Sequence, residues 1–110
     1  MDTQDYAAVF HKLLLPMALE YGPELILVAA GFDATRGDKM GIMRVSTAGY
    51  GYFTQLLKLI NKRIVMSLEG GYNAKLTAMC VEKCVSVLLG QQPAATTPWI
   101  PSPQCLETIK

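Results

Sequence analysis

Two short apolar runs that do not alternate with polar residues constrain this chain more than any other feature: Glu24-Leu25-Ile26-Leu27-Val28-Ala29-Ala30 and Arg63-Ile64-Val65-Met66-Ser67-Leu68. A strand with one face in water alternates apolar and polar residues. A strand covered on both faces, as in a parallel sheet under helices, reads as a continuous apolar stretch. Between the runs, Ser46 is placed to cap a helix with the stripe Tyr50, Phe53, Leu57 and Ile60, although Gly49 and Gly51 weaken its first turn. The order strand, helix, strand describes a right-handed crossover unit.

A helix is predicted on each side of that unit. Upstream, Tyr6, Phe10, Leu13 and Met17 mark one helical face between about residues 3 and 21. Pro16 lies within it, lacking a donor and crowding the carbonyl of Lys12, so a kink or an early end is expected. Gly22-Pro23 then stops the helix. Downstream, Asn73 is a good N-cap for a helix with the stripe Leu76, Cys80, Cys84, Val87 and Leu88, and Gly90 stands where a helix C-terminus is expected. The expected class is α/β, in the order helix, strand, helix, strand, helix. Two strands bury little and leave both edges open, so such a unit is marginal unless it docks into a larger sheet. From Gln91 onward Pro93, Pro98, Pro101 and Pro103 interrupt any period, and residues 91–110 read as an extended surface segment.

A chain of 110 residues with 51% hydrophobic and 17% charged residues is globular in composition and long enough for one domain or part of one. Its net charge of +1 supplies no field that would draw it to nucleic acid or to an anionic membrane, so neither is an expected partner. Cysteines number three, and Cys80 and Cys84 lie four residues apart on one helical face, which fits reduced thiols packed in a core better than a disulfide framework. A zinc site at that pair would need further ligands, and the only histidine, His11, lies on a different element. No secretory signal pattern opens the chain and no apolar run approaches the ~20 residues that span a bilayer, so a soluble intracellular protein is expected, in nucleus or cytoplasm. Arg36-Gly37-Asp38 spells an adhesion tripeptide, but without secretion it has no extracellular setting.

Chemistry in a parallel sheet gathers at the carboxyl ends of the strands. The loop after the first run, residues 30–38, carries Asp33; the loop after the second, Glu69-Gly70-Gly71-Tyr72-Asn73, carries Tyr72 beside two glycines. A carboxylate is a hard ligand for a divalent metal, and a phenol can donate to a carbonyl oxygen as charge develops on it. Each residue also has a plain explanation: Asp33 as a turn or cap residue, the glycines as positions needing positive φ.

Ala29-Ala30-Gly31-Phe32-Asp33-Ala34 and Leu68-Glu69-Gly70-Gly71-Tyr72-Asn73 together resemble the two late signature motifs of class II histone deacetylases. The flanks are similar to that family as well: Asp5-Tyr6, Leu15-Pro16, Gly22-Pro23-Glu24-Leu25, Gly37-Asp38 with Met40-Gly41, and Leu88-Leu89-Gly90. The resemblance covers about residues 5 to 90. It implies a three-layer α/β/α fold of the arginase-like kind, of which residues 1–90 would be a C-terminal portion. By the same resemblance Asp33 corresponds to an aspartate zinc ligand and Tyr72 to the catalytic tyrosine on the acetyl oxygen. Gly70 and Gly71 correspond to glycines beside the lysine channel, and Met40 to an apolar position on its wall. Tyrosine rather than histidine at position 72 is similar to the class IIb or fungal-type branch and unlike class IIa. The implied cofactor is Zn2+, and the implied partners are acetyl-lysine proteins such as histones and the remainder of the deacetylase domain.

The family's Asp-x-His ligand pair and adjacent histidines have no counterpart here, and the chain looks truncated at both ends. One metal ligand does not make a zinc site, so this chain alone is expected to bind little or no zinc and to be inactive. His11 is expected to be a surface residue. Two other readings stand beside the enzymatic one. The chain could be a truncated product acting as a non-catalytic interaction segment, or a small doubly wound signalling domain phosphorylated on Asp33, which would need more strands and an acidic pocket that the sequence lacks.

Overall fold

A computed structural model describes residues 1–93. It contains α1 (Thr3–Val9), a π-helical turn (Phe10–Leu14), α2 (Leu15–Tyr21), β1 (Ile26–Gly31), α3 (Thr47–Ile60), β2 (Ile64–Gly70) and α4 (Ala74–Leu88). The first three run on as one continuous helical stretch. Its start is a capping box: Asp2 accepts from the N–H groups of Gln4 and Asp5, and Asp5 accepts from the Asp2 N–H at 2.9 Å. Gly22, with φ of 66°, ends it.

Pro16 does not end the helix. The turn before it widens to the π form, with the Leu15 N–H reaching back to the carbonyl of Phe10, and the helix continues to Tyr21. One extra residue in a turn rotates everything beyond it by about 100°. The expected stripe is therefore correct only up to Phe10, where the π turn begins. Phe10 packs on Phe53, but Leu13 and Met17 are 53% and 61% exposed, and Leu15 takes the buried position.

β1 and β2 pair in parallel, Ile26 opposite Ile64, with α3 as the crossover between them. Ser46 and Asn73 cap α3 and α4 as expected from the sequence. At the far end of α4, Gly90 (φ 99°) donates to Val87 and the Gln91 N–H donates to Ser86, a Schellman closure. The glycines of α3 are points of close approach. A Cβ on Gly49 would lie 2.6 Å from Cγ2 of Thr3, and one on Gly51 would touch Lys83 and Val87 of α4. Lys58 ties the same two helices, donating to the Val87 carbonyl at 2.9 Å.

The core has two parts. Ala30, Phe32, Cys80 and Cys84 pack with Val28, Tyr50 and Met66, while Ala7, Val45 and Phe53 pack with Tyr6 and Phe10. Aromatic contacts connect them: Phe10 stacks on Phe53 at 4.8 Å, Phe53 meets Tyr50 edge-on, and Tyr50 meets Phe32 edge-on at 5.0 Å. Full burial of a side chain such as Phe53 contributes ~1.5–3 kcal/mol. Cys80 and Cys84 are free and serve as packing residues, with burial pushing both thiols up in pKa.

Only one face of the sheet is covered among the described residues. Ile26, Val28 and Ala30 turn toward the helices, whereas Leu27 is 73% exposed and Val65 of β2 55%. The described residues thus supply two layers of the expected three. Residues 94–110, which include most of the proline-rich segment and Cys105, lie outside the described residues. No helix among those described is long and apolar enough to cross a membrane.

Candidate active site

The two strands end side by side, and the register shifts there. Ala30 pairs with Leu68 and Gly31 with Gly70, so Glu69 is the extra residue of a bulge. Bulges bend the strand and re-aim the residues beyond them. The Phe32 N–H still donates to the Gly70 carbonyl at 2.9 Å, which holds the two exits together.

Asp33 follows in an exposed turn. Its carboxylate lies over the backbones of both exits: a Cβ on Gly31 would stand 3.2 Å from Oδ1, and one on Gly70 3.5 Å from Oδ2. The negative charge also reaches α1, where the Tyr6 phenol is raised in pKa by burial first and by Asp33 second. Gly41 backs the main chain of Asp33, and any Cβ at position 41 would collide with the Asp33 carbonyl.

The rest of the loop is stapled down. Val45, fully buried, donates to Ala34 and accepts from Arg36, both at 2.9 Å, and the buried Thr35 hydroxyl donates to the Phe32 carbonyl at 2.6 Å. Beneath it sits Tyr50, whose buried hydroxyl makes no hydrogen bond of good geometry among the described residues; burial pushes its pKa up to about 12, opposed by the nearby Thr35 hydroxyl.

On the second exit, Gly71 adopts φ of 129°, and a Cβ there would strike the Thr77 hydroxyl. Only glycine suits such a position. Tyr72 comes next, half exposed, and Asn73 begins α4 by accepting from the Leu76 N–H at 3.3 Å. Asp33, Gly70, Gly71 and Tyr72 therefore share one end of the sheet. Met40 belongs to the loop after β1 and is exposed.

Asp38 links the two loops and was not singled out by sequence reasoning. Its Oδ1 accepts from the N–H groups of Met40 (2.8 Å) and Gly41 (2.9 Å), and its Oδ2 accepts from the N–H of Tyr72 (2.7 Å). The Tyr72 N–H is the main reason its carboxyl is held below the usual carboxylate range. Desolvation opposes that shift, and the N–H groups of Met40, Gly41 and Asn73 reinforce it. An aspartate followed by glycine three residues later is an ordinary turn signal, which explains the bonds within the loop. Nothing local in the sequence points to Tyr72, which is 34 residues away.

His11 is a correction. It is half-buried rather than a free surface residue, and its Nε2 shares a 2.7 Å hydrogen bond with the Tyr52 hydroxyl on α3. The reason is helical geometry: the π turn places His11 beside α3.

Comparison with known proteins decides the family. The family model for the histone deacetylase domain matches residues 1–88. The chain belongs to the histone deacetylase family. Among its class II relatives, histone deacetylase HDA1 of Candida albicans is 37% identical over 110 residues, covering 99% of this chain and 13% of that protein. The human polyamine deacetylase HDAC10 is 41% identical over 112 residues, covering 100% of this chain and 17% of that protein. The solved structure of the histone deacetylase Clr3 superposes with a TM-score of 0.94 at 34% identity, covering 99% of this chain and 18% of that one. The chain thus spans less than a fifth of these relatives, and its fold is a portion of the arginase-like α/β architecture of deacetylase domains.

A metal must fit a deacetylase site through its donors. Among the described residues no three His, Cys, Asp or Glu side chains converge on one point. Asp33 is an exposed hard-oxygen donor at the sheet end, of the chemistry that could supply one ligand, and no more than one, to a divalent ion.

Proposed function

We propose that this chain is the part of a zinc-dependent lysine deacetylase domain that contributes one metal ligand, Asp33, and the oxyanion donor, Tyr72. The observation that carries the reading is the shared sheet end: the Asp33 carboxylate lies over Gly31 and Gly70, and Tyr72 stands two residues beyond Gly70 on the adjacent parallel strand. Acetyl-lysine proteins such as histones are the substrates this supports, in line with the names of the relatives; an acetylated polyamine would present the same amide.

Zinc, when bound, would polarise the acyl oxygen and lower the pKa of a coordinated water. Asp33 would hold the ion with a carboxylate oxygen. The Tyr72 hydroxyl would donate to the acyl oxygen as it gains charge, a bond that strengthens most at the transition state. Gly70 and Gly71, having no side chains, would leave room for an extended lysine side chain, with Met40 as apolar wall. The general base and the remaining ligands would come from the rest of the domain, so turnover belongs to the whole domain and not to 110 residues alone.

Two substitutions in the zinc-loaded domain containing this segment test the roles. Tyr72→Phe should lower kcat ~10²–10³-fold, as removal of one oxyanion donor does, while KM and bound zinc stay close to wild type. Asp33→Asn should instead reduce zinc content, measured by metal analysis. Loss of zinc in Tyr72→Phe, or undiminished turnover, would refute the assignment.

A further inference from the structure

Asp38 makes more bonds than a turn residue needs. An aspartate that only closes its own loop would accept from residues two and three positions ahead, as Oδ1 does with Met40 and Gly41. Its second oxygen leaves the loop and accepts the shortest of the three bonds, from the backbone N–H of Tyr72. The loop partners matter as well. Gly41, held on Oδ1, is the residue packed against the Asp33 carbonyl, and Met40 is the candidate channel-wall residue. A further tie joins the same loops, where the Asn73 side chain donates to the Gly37 carbonyl at 3.5 Å.

We infer that Asp38 is a positioning residue for the deacetylation reaction: a single carboxylate that fixes the backbone of Tyr72 relative to Asp33, and so sets where the phenol meets the acyl oxygen. This rests on the roles proposed above for Tyr72 and Asp33. The physical requirement is two acceptor oxygens on one rigid group. Bonds to a charged acceptor are stronger than neutral ones, and both oxygens of a short side chain move together, so neither loop can shift without breaking a bond. Gly71 precedes Tyr72 at positive φ, and glycine backbone is the most permissive of all. Tyr72 therefore sits beside a natural hinge, and the Asp38 bond is what restrains it.

Asparagine at position 38 has one acceptor oxygen and one donor group, so it can keep one side of the clamp but not both. The test is a double-substitution cycle in the whole zinc-loaded domain, with kcat, KM and zinc content measured for Asp38→Asn, Tyr72→Phe and the pair. Asp38→Asn alone should lower kcat roughly 10- to 100-fold, the scale of a small misplacement, with KM and zinc content within about 2-fold of wild type. In the Tyr72→Phe background it should lower kcat by no more than about 2- to 3-fold, because the group it positions is gone. Asp38→Glu, which keeps both acceptor oxygens, should recover part of the loss and runs the same cycle should Asp38→Asn fail to fold.

Independent, multiplying effects of the two substitutions would overturn the inference while leaving the proposed role of Tyr72 intact. So would zinc loss as large as that of Asp33→Asn, or a Glu variant no better than Asp38→Asn. A Tyr72→Phe domain with unchanged kcat would overturn both.

Discussion

Glycines 41 and 71 are required for different reasons, and both reasons concern the candidate site. At Gly71 the backbone has φ of 129° and Thr77 fills the space a side chain would need. At Gly41 the backbone conformation is ordinary, but Asp33's carbonyl occupies the position of a Cβ. Gly41→Ala should therefore push the Asp33 loop outward and weaken zinc binding in the intact domain by ~10–100-fold, the usual effect of disturbing a group that orients a metal ligand. A competitive chelator titration reads this directly, and unchanged affinity would show that the loop can yield without moving the carboxylate. The pairing of Gly70-Gly71 with Tyr72 was legible in sequence. The need for Gly41 was not, because its partner's carbonyl belongs to a residue of the preceding turn and nothing in composition marks the approach.

Among the elements, the first helix shows how one residue redirects a face. Proline removes a donor and clashes with the carbonyl four residues before it, which costs ~3 kcal/mol in a regular helix. Here the clash is relieved by the π turn over Phe10–Leu14, which lets Phe10 and Leu15 both face the core while Leu13 projects into solvent. Deleting Leu13 should force a regular turn around Pro16 and destabilise the domain by about 3 kcal/mol, whereas the same deletion combined with Pro16→Ala should recover most of that loss. Thermal unfolding of the two variants distinguishes them; equal stability would mean that the proline and the π turn are unrelated. α4 behaved more simply: its cap, its stripe of Cys80, Cys84 and Val87 and its Gly90 closure follow from local pattern alone.

For the molecule as a whole, the sheet face that the described residues leave uncovered matters most. Among the described residues, Leu27 and Val65 are exposed on that face of strands whose sequence suits burial on both sides, and the two-stranded sheet has two open edges. Apolar area of that kind seldom stays in water on a stable monomer. The isolated 110-residue chain should accordingly self-associate at micromolar concentration and unfold without a sharp transition, as sedimentation and calorimetry would report. A monomer with a cooperative melt would show that these residues suffice as a folding unit.

Sequence alone determined the order of the elements and which residues stand at the ends of the two strands. Strand position, helix caps and the motifs carrying Asp33 and Tyr72 are local patterns, set by backbone periodicity and by the few residues that can cap or turn. Tertiary structure decided what depends on distant residues meeting: the bulge that sets Gly31 opposite Gly70, the π turn that moves Leu15 inward and brings His11 to Tyr52, and the Asp38 carboxylate on the Tyr72 backbone. A hydrogen bond across 34 residues leaves no trace in local periodicity, because its geometry exists only once two parallel strands have brought their ends together.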